Sequence, residues 1–245
     1  MPDQLLGKSA IVTGGGSGIG RTLCIGLAKE GATVAVCDVN GPAARETAAA
    51  IAGLGGQATS FEVDVSQAAE VDTMVNHVLA DKGTIDILVN AAGIWPRHPF
   101  IEVSEAEWRH VLDVNLTGTF LCCRAVAKTM IAQGSGKIVN LASGRGVAGA
   151  MNGVHYSASK GGIIAFTVAL GMELGAYGIN VNAVAPGGTE TPLFRGGRPE
   201  GWQPPQDVPA NRRIEEPESV VGPALFLVTD ASKTMFGQII FMKAP

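Results

Sequence analysis

The chain has 245 residues, 46% of them apolar and 16% charged, and 18 basic against 22 acidic side chains leave a net charge of −4. This length and apolar content can supply one sizeable core and exclude disorder. With no basic run there is no electrostatic footprint for nucleic acid or an anionic membrane surface.

No run of about 18 apolar residues offers a membrane span. Met1-Pro-Asp-Gln has neither the basic start nor the apolar stretch of a secretion signal, so the expected location is the cytoplasm. Cys24, Cys37, Cys122 and Cys123 form no Cys-x-x-Cys pair and do not cluster with histidines, which predicts buried apolar cysteines and no metal site.

Short β-branched runs alternate with longer amphipathic stretches along the whole chain. That pattern predicts an α/β fold, a Rossmann-like doubly wound seven-stranded parallel sheet with helices on both faces, as one domain over 1–245. The strands are expected at Ser9–Thr13, Thr33–Asp38, Ala58–Val63, Ile85–Asn90, Lys137–Ala142, Ile179–Val184 and Gln238–Met242. Most read as continuous apolar runs, as strands buried on both faces do. Helices are expected near 18–30, 42–53, 67–81, 104–131, 155–175 and 216–228. The segment 187–213, rich in proline and glycine, lacks periodicity and reads as an excursion over the carboxyl edge of the sheet, where ligands bind in such folds.

The first strand runs into Thr13-Gly14-Gly15-Gly16-Ser17-Gly18-Ile19-Gly20 and directly on into a helix. Glycines there let the backbone approach a pyrophosphate, and the free N–H groups and positive dipole end of the helix attract its charge. The spacing is T-G-x-x-x-G-x-G rather than G-x-G-x-x-G. Strand two ends at Asp38, 18 residues past Gly20, where a carboxylate can accept the ribose hydroxyls of an adenosine and repel a 2′-phosphate. Val39 and Asn40 supply no cation to offset it, so NAD is expected over NADP.

Past strand five come Ser143 and then Tyr156 and Lys160, four residues apart and hence on one helix face. A lone Tyr-x-x-x-Lys is common in helices. This chain has only two tyrosines, however, and with Asn115 and Ser143 upstream the set reads as a proton-transfer site. A tyrosine can serve a carbinol oxygen if its ionisation is tuned, and a lysine ammonium beside it would favour the phenolate.

These motifs together resemble the short-chain dehydrogenase/reductase family in its form of roughly 250 residues, over nearly the whole chain. The residues carrying the resemblance are the glycine motif, Asp64-Val65, Asn90-Ala91-Ala92-Gly93, Asn115, Ser143, Tyr156-x-x-x-Lys160, and Pro186-Gly187 with Thr191. It implies a catalytic tetrad of Asn115, Ser143, Tyr156 and Lys160. It also implies that Asp64 and Val65 hold the adenine, that Asn90 and Gly93 bracket its ribose, and that Thr191 with the backbone near Thr189 holds the nicotinamide carboxamide. Three positions depart from the family pattern: Ala91, Thr189, and the ending Phe241-Met242-Lys243-Ala244-Pro245, which bears on contacts between subunits.

The expected activity is NAD-dependent interconversion of a secondary alcohol and a ketone, with Asn115 behind Lys160. A 3-oxoacyl-thioester reductase is the main alternative and a non-catalytic NAD-binding scaffold a remote one; a nucleotide-sugar epimerase would need a longer chain. Trp95, Met151, Val154, Phe194 and Trp202 are the candidate substrate pocket, which predicts a small neutral substrate. Arg195 and Arg198 are read as facing solvent beside Gly196-Gly197. His155 is assigned to the surface or the substrate pocket, because adjacent helix residues point about 100° apart. Phe120, Cys122, Ala125, Phe166, Val168 and Met172 offer apolar faces for a homo-oligomer, a tetramer or a dimer.

Overall fold

The computed structural model describes residues 3–198, 201–203, 207–209 and 212–243. Each β-branched run forms a strand: β1 (Ser9–Thr13), β2 (Thr33–Asp38), β3 (Gln57–Glu62), β4 (Ile87–Asn90), β5 (Gly136–Leu141), β6 (Ile179–Ala185) and β7 (Ile239–Phe241). All pair in parallel in the order β3-β2-β1-β4-β5-β6-β7. Parallel pairing requires crossovers, and α1 (Gly18–Lys29), α2 (Gly41–Gly53) and α3 (Ala68–Lys82) supply the first of them.

The period-two alternation of the central strands separates two cores. Val12, Val36, Val89 and Val139 face Leu23 and Leu27 of α1 and Leu227 of a late helix. Ile11, Leu88, Ile138 and Val181 face Met74 and Val78 of α3 and Val126 and Met130 on the other side. The four cysteines are free and buried within these layers, and burial pushes each thiol well above its usual range.

The stretch expected as one helix over 104–131 is interrupted. It forms α4 (Glu105–Leu112), a wide π-turn at Asp113–Thr117, and α5 (Gly118–Gln133). Ser104 caps α4 by accepting from the Glu107 N–H. The π-turn is fixed from outside, because Asn115 Oδ1 accepts from the Ile94 N–H at 2.8 Å and its Nδ2 donates to the Ile94 carbonyl at 3.0 Å. A short helix, α6 (Arg145–Ala148), follows β5, and the long α7 (Val154–Gly175) leads to β6. Gly171 allows α7 to lie against the β7 turn, since a Cβ there would stand 2.3 Å from the Gly237 nitrogen.

The segment 187–213 includes a short helix, α8 (Pro192–Arg195), and a bridge between Thr189 and Glu215 brings its start beside the residues that follow it. After α9 (Val221–Val228) the chain enters β7. Among the described residues no helix is long and apolar enough to cross a membrane.

Candidate active site

The strand order reverses at β1, which pairs with β2 on one side and β4 on the other, with Thr13 opposite both Cys37 and Asn90. Crossovers leave in opposite directions from this point, so a crevice opens at the carboxyl ends. It widens into a cleft of about 1050 Å³ reaching from Asp38 to Trp202.

The floor is the glycine turn. Gly14 and Gly18 take positive φ of 66° and 49°. A Cβ on Gly14 would stand 2.8 Å from Ala92 Cα, and one on Gly20 would stand 2.0 Å from the Gly14 carbonyl oxygen. The turn therefore has room for no side chain of its own at positions 14 and 20, while Thr191 approaches Gly18 at the first residue of α1. Thr13 ties the turn to the neighbouring loop, its Oγ1 accepting from the Ala91 and Ala92 N–H groups at 3.2 and 3.3 Å. Asp38 Oδ2 accepts from the Gly16 N–H and Oδ1 from the Asn40 N–H, each at 2.9 Å. That carboxylate is thereby fixed at the edge of the cleft.

Ser17, Gly18, Ile19, Gly20, Asp64, Val65, Ala91, Gly93, Pro186, Gly187, Thr189 and Thr191 line the cleft with Gly14 and Asp38. Thr13, Gly16 and Asn90 stand behind the wall. Asn90 is buried and donates through Nδ2 to Asn140 Oδ1 at 2.9 Å, and Asn140 donates in turn to Thr167 Oγ1. Its side chain thus fastens β4 to β5. These walls fit a dinucleotide: a bare helix N-terminus for its phosphates, a held carboxylate for a ribose, and Thr189 and Thr191 at the opposite end.

At that opposite end Ser143, Tyr156 and Lys160 come together. Burial pushes the Tyr156 phenol above its ordinary range, against the Ser143 hydrogen bond and the nearby Arg97 and Arg145 charges, which pull it down. The lowering expected from Lys160 is not the dominant effect. Lys160 is itself buried and pulled down to about 8 by desolvation. Its Nζ donates to the Leu141 carbonyl at 2.7 Å and stands 5.8 Å from the Tyr156 ring centre. Asn115 is fully buried and donates to Ser159 Oγ at 3.0 Å, while Thr119 Oγ1 donates to its carbonyl.

Trp95 covers the Tyr156 ring in a stack with centres 4.4 Å apart and planes 10° apart. The Arg97 guanidinium lies on its other face, 3.6 Å from the ring centre, and donates to the Gly196 and Phe194 carbonyls. Met151, Phe194 and Trp202 also line the cleft. Val154, the half-buried first residue of α7, does not.

His155 corrects another expectation, being fully buried and outside the cleft. Its Nδ1 accepts from the Tyr156 N–H at 2.7 Å, so the neutral ring carries its proton on Nε2 and donates to Glu107 Oε1 at 2.8 Å. Glu107 also holds His98, and these hydrogen bonds keep its carboxyl below the usual range. The first turns of α4 and α7 are joined by this contact directly under Tyr156. Arg198, expected in solvent, lines the cleft, and Arg97 and Arg145 join it there unannounced by any motif.

The short chain dehydrogenase family model matches residues 8–200, and the chain belongs to that family. Curated relatives share this fold over almost their whole length. A 3-oxoacyl-[acyl-carrier-protein] reductase from Chlamydia trachomatis is 37% identical over 98% of this chain and 97% of the relative. A D-threitol dehydrogenase from Mycolicibacterium smegmatis is also 37% identical, over 96% of this chain and 90% of its own length. Among solved structures, levodione reductase superposes with a TM-score of 0.91 at 31% identity, covering 98% of this chain and 97% of that one.

The buried Lys160 couples stability to pH. Its folded pKa lies below the unfolded value, so between about 8 and 10.5 the unfolded chain binds more protons and stability rises with pH. Relative to Lys160→Met, the wild type should therefore gain stability in urea unfolding as pH rises from 7 to 9.5, by about 2 kcal/mol. A difference independent of pH would place the lysine in contact with water.

Proposed function

We propose that this oxidoreductase interconverts a secondary alcohol and a ketone with NAD as its cofactor. The observation that carries this reading is the buried Tyr156 side chain beside Ser143 and Lys160, in the same cleft as the glycine turn and Asp38. Bound NAD supplies the hydride acceptor, and NADH the donor. Held by Thr189, Thr191 and the glycine turn, it would lie with its ribose hydroxyls toward Asp38.

The chain's own residues handle the proton. Tyr156 Oη gives it to the ketone oxygen or takes it from the alcohol, and its raised pKa keeps it protonated near neutrality, ready for reduction. Ser143 holds the same oxygen by a second hydrogen bond. Lys160, close to half-charged near pH 8, replenishes positive charge beside the phenolate, and Asn115 secures the π-turn and the Ile94 backbone behind it. Trp95 excludes water from the Tyr156 ring face, and with Phe194 and Trp202 it supports a compact, cyclic or aryl-substituted substrate body.

The similarity to 3-oxoacyl-carrier reductases supports a second reading, reduction of a 3-oxoacyl thioester. Asp38 weighs against the NADPH such a reductase would be expected to use, since a 2′-phosphate beside a held carboxylate is repelled.

We also infer a cytoplasmic homo-oligomer. Phe120, Val168 and Met172 are exposed apolar residues on α5 and α7, whereas Cys122, expected among them, is buried in the core. Sedimentation should give a dimer or tetramer at micromolar concentration, and a monomer would refute the assembly.

Tyr156→Phe should lower kcat by about 100-fold or more, the usual worth of a general acid–base, while leaving NADH binding nearly intact. Retention of more than a tenth of the rate would remove Tyr156 from the chemistry. In parallel, kcat/KM should favour NAD over NADP, and Asp38→Ala should narrow that preference. Equal values for the wild type would mean that Asp38 does not meet the ribose.

A further inference from the structure

The catalytic end of the cleft carries positive charge that the fold leaves unneutralised. Arg97, Arg145 and Arg198 all line it. Among the described residues none of the three forms an ion pair, whereas Arg195, outside the cleft, pairs with Glu190, and Lys243 pairs with Glu215.

The three guanidiniums are held by neutral groups. Arg97 lies on Trp95 and donates to two loop carbonyls. Arg198 donates to the Phe194 carbonyl at 3.1 Å, with its guanidinium carbon 4.3 Å from the Phe194 ring centre and 3.8 Å from that of Trp202. Arg145 donates from Nη1 to the Gly149 carbonyl, and its backbone N–H donates to Ser143 Oγ. Carbonyls and rings orient an arginine without cancelling its charge. Burial first lowers the pKa of both Arg97 and Arg198; the Arg198 charge then lowers Arg97, the Arg195 charge lowers Arg198 against a partly offsetting Glu190 carboxylate, and Arg145 lowers both.

Like charges held together in this way cost free energy, and an anion would relieve it. The cofactor's phosphates are expected at the other end, over the N-terminus of α1. The cluster surrounds Tyr156 instead, with Arg97 separated from the phenol ring only by the thickness of Trp95.

We propose that Arg97, Arg145 and Arg198 form an anion-recognition site for the substrate, and that the substrate is a compact hydroxy acid or oxo acid. Its carboxylate pairs with the guanidiniums while its carbinol or carbonyl carbon faces Tyr156. This rests on the reading of Tyr156 as the acid–base and replaces the neutral substrate expected from the sequence. In the oxidative direction the carbinol carbon loses a hydride to NAD and the hydroxyl loses its proton to Tyr156 and then to solvent. Hydroxy acid and NAD thus give oxo acid, NADH and one proton.

Hydroxycyclohexanecarboxylates and straight-chain hydroxy acids, with the carbinol two to four carbons from the carboxylate, should be assayed with NAD beside their carboxamides. The coenzyme A thioester of hydroxybutyrate forms a third arm, carrying phosphate in place of a free carboxylate. The best acid should exceed its amide in kcat/KM by about 10- to 100-fold, the worth of a charge-assisted hydrogen bond. Arg198→Met and Arg145→Met should each collapse that ratio toward one, while Arg198→Lys retains part of it and controls for folding. Cyclohexanecarboxylate, which cannot react, should quench tryptophan fluorescence of the NADH complex in the wild type and lose this effect in Arg198→Met.

An amide equal to its acid would overturn the proposal, and so would a thioester preferred over both whose rate alone falls in the arginine variants. If no alcohol of either charge is oxidised, the oxidoreductase reading fails. The fluorescence titration then still decides whether the arginines bind a carboxylate.

Discussion

Everything at this site depends on β1 standing between β2 and β4, from which the chain builds the sheet outward to either side. Because Thr13 is paired with both Cys37 and Asn90, the chain leaving β1 has no lateral room. It must pass so close to Ala92 that only glycine fits at position 14. The same tightness keeps the turn before α1 free of bulky side chains, so that the first N–H groups of the helix open toward the cleft with Thr191 as their nearest neighbour across it. The nucleotide end of the cleft is therefore a consequence of strand order, and the glycines are what that order permits.

The catalytic end is held by a different device, buried polar groups bonded to one another. Asn140 joins β4, β5 and α7 through Asn90 and Thr167. Asn115 joins the π-turn to Ile94 and Ser159, and Lys160 reaches the carbonyl at the end of β5. Nearly saturated networks of this kind fix one geometry, because any shift would strand a polar group in a low-dielectric interior. His155 extends the same logic to the first turn of α7. It accepts from the Tyr156 N–H and donates to Glu107, so the backbone bearing the phenol is clamped to α4.

The strands and the glycine, Asp38 and Tyr156–Lys160 features were legible in the sequence because each follows from local rules. Strands buried on both faces must be continuously apolar, and β1 and β2 fall at the expected residues, with the others shifted at their ends by a residue or two. The break in the helix over 104–131 was not legible. Asp113–Thr117 contains neither proline nor glycine, and its π-turn is imposed by Asn115 binding a backbone distant in sequence. The 100° argument misplaced His155 for a related reason: α4 covers the first turn of α7, so a side chain pointing away from the cleft is still buried. Arg97 and Arg145 follow no period, yet both lie within a few residues of a strand's carboxyl end, and that position was the available signal.

The two ends of the cleft also carry opposite charge, each fixed by neutral groups. Asp38 is held by two backbone N–H groups, and the arginines by carbonyls and aromatic faces. Had each charge been paired within the fold, the cleft would show a ligand little net field. Left uncompensated but immobile, the charges give it a direction. A molecule with hydroxyls at one end meets an acceptor there, and one carrying negative charge at the other meets donors already oriented, so little reorganisation is needed on binding. The cost appears as like-charge repulsion, of Arg198 and Arg145 on Arg97 and of Arg195 and Arg145 on Arg198, where Glu190 partly offsets it. That repulsion acts across the loop 194–198, because Arg97 and Arg198 both donate to the Phe194 carbonyl. An anion between the guanidiniums would offset that repulsion and leave the carbonyl bonds in place.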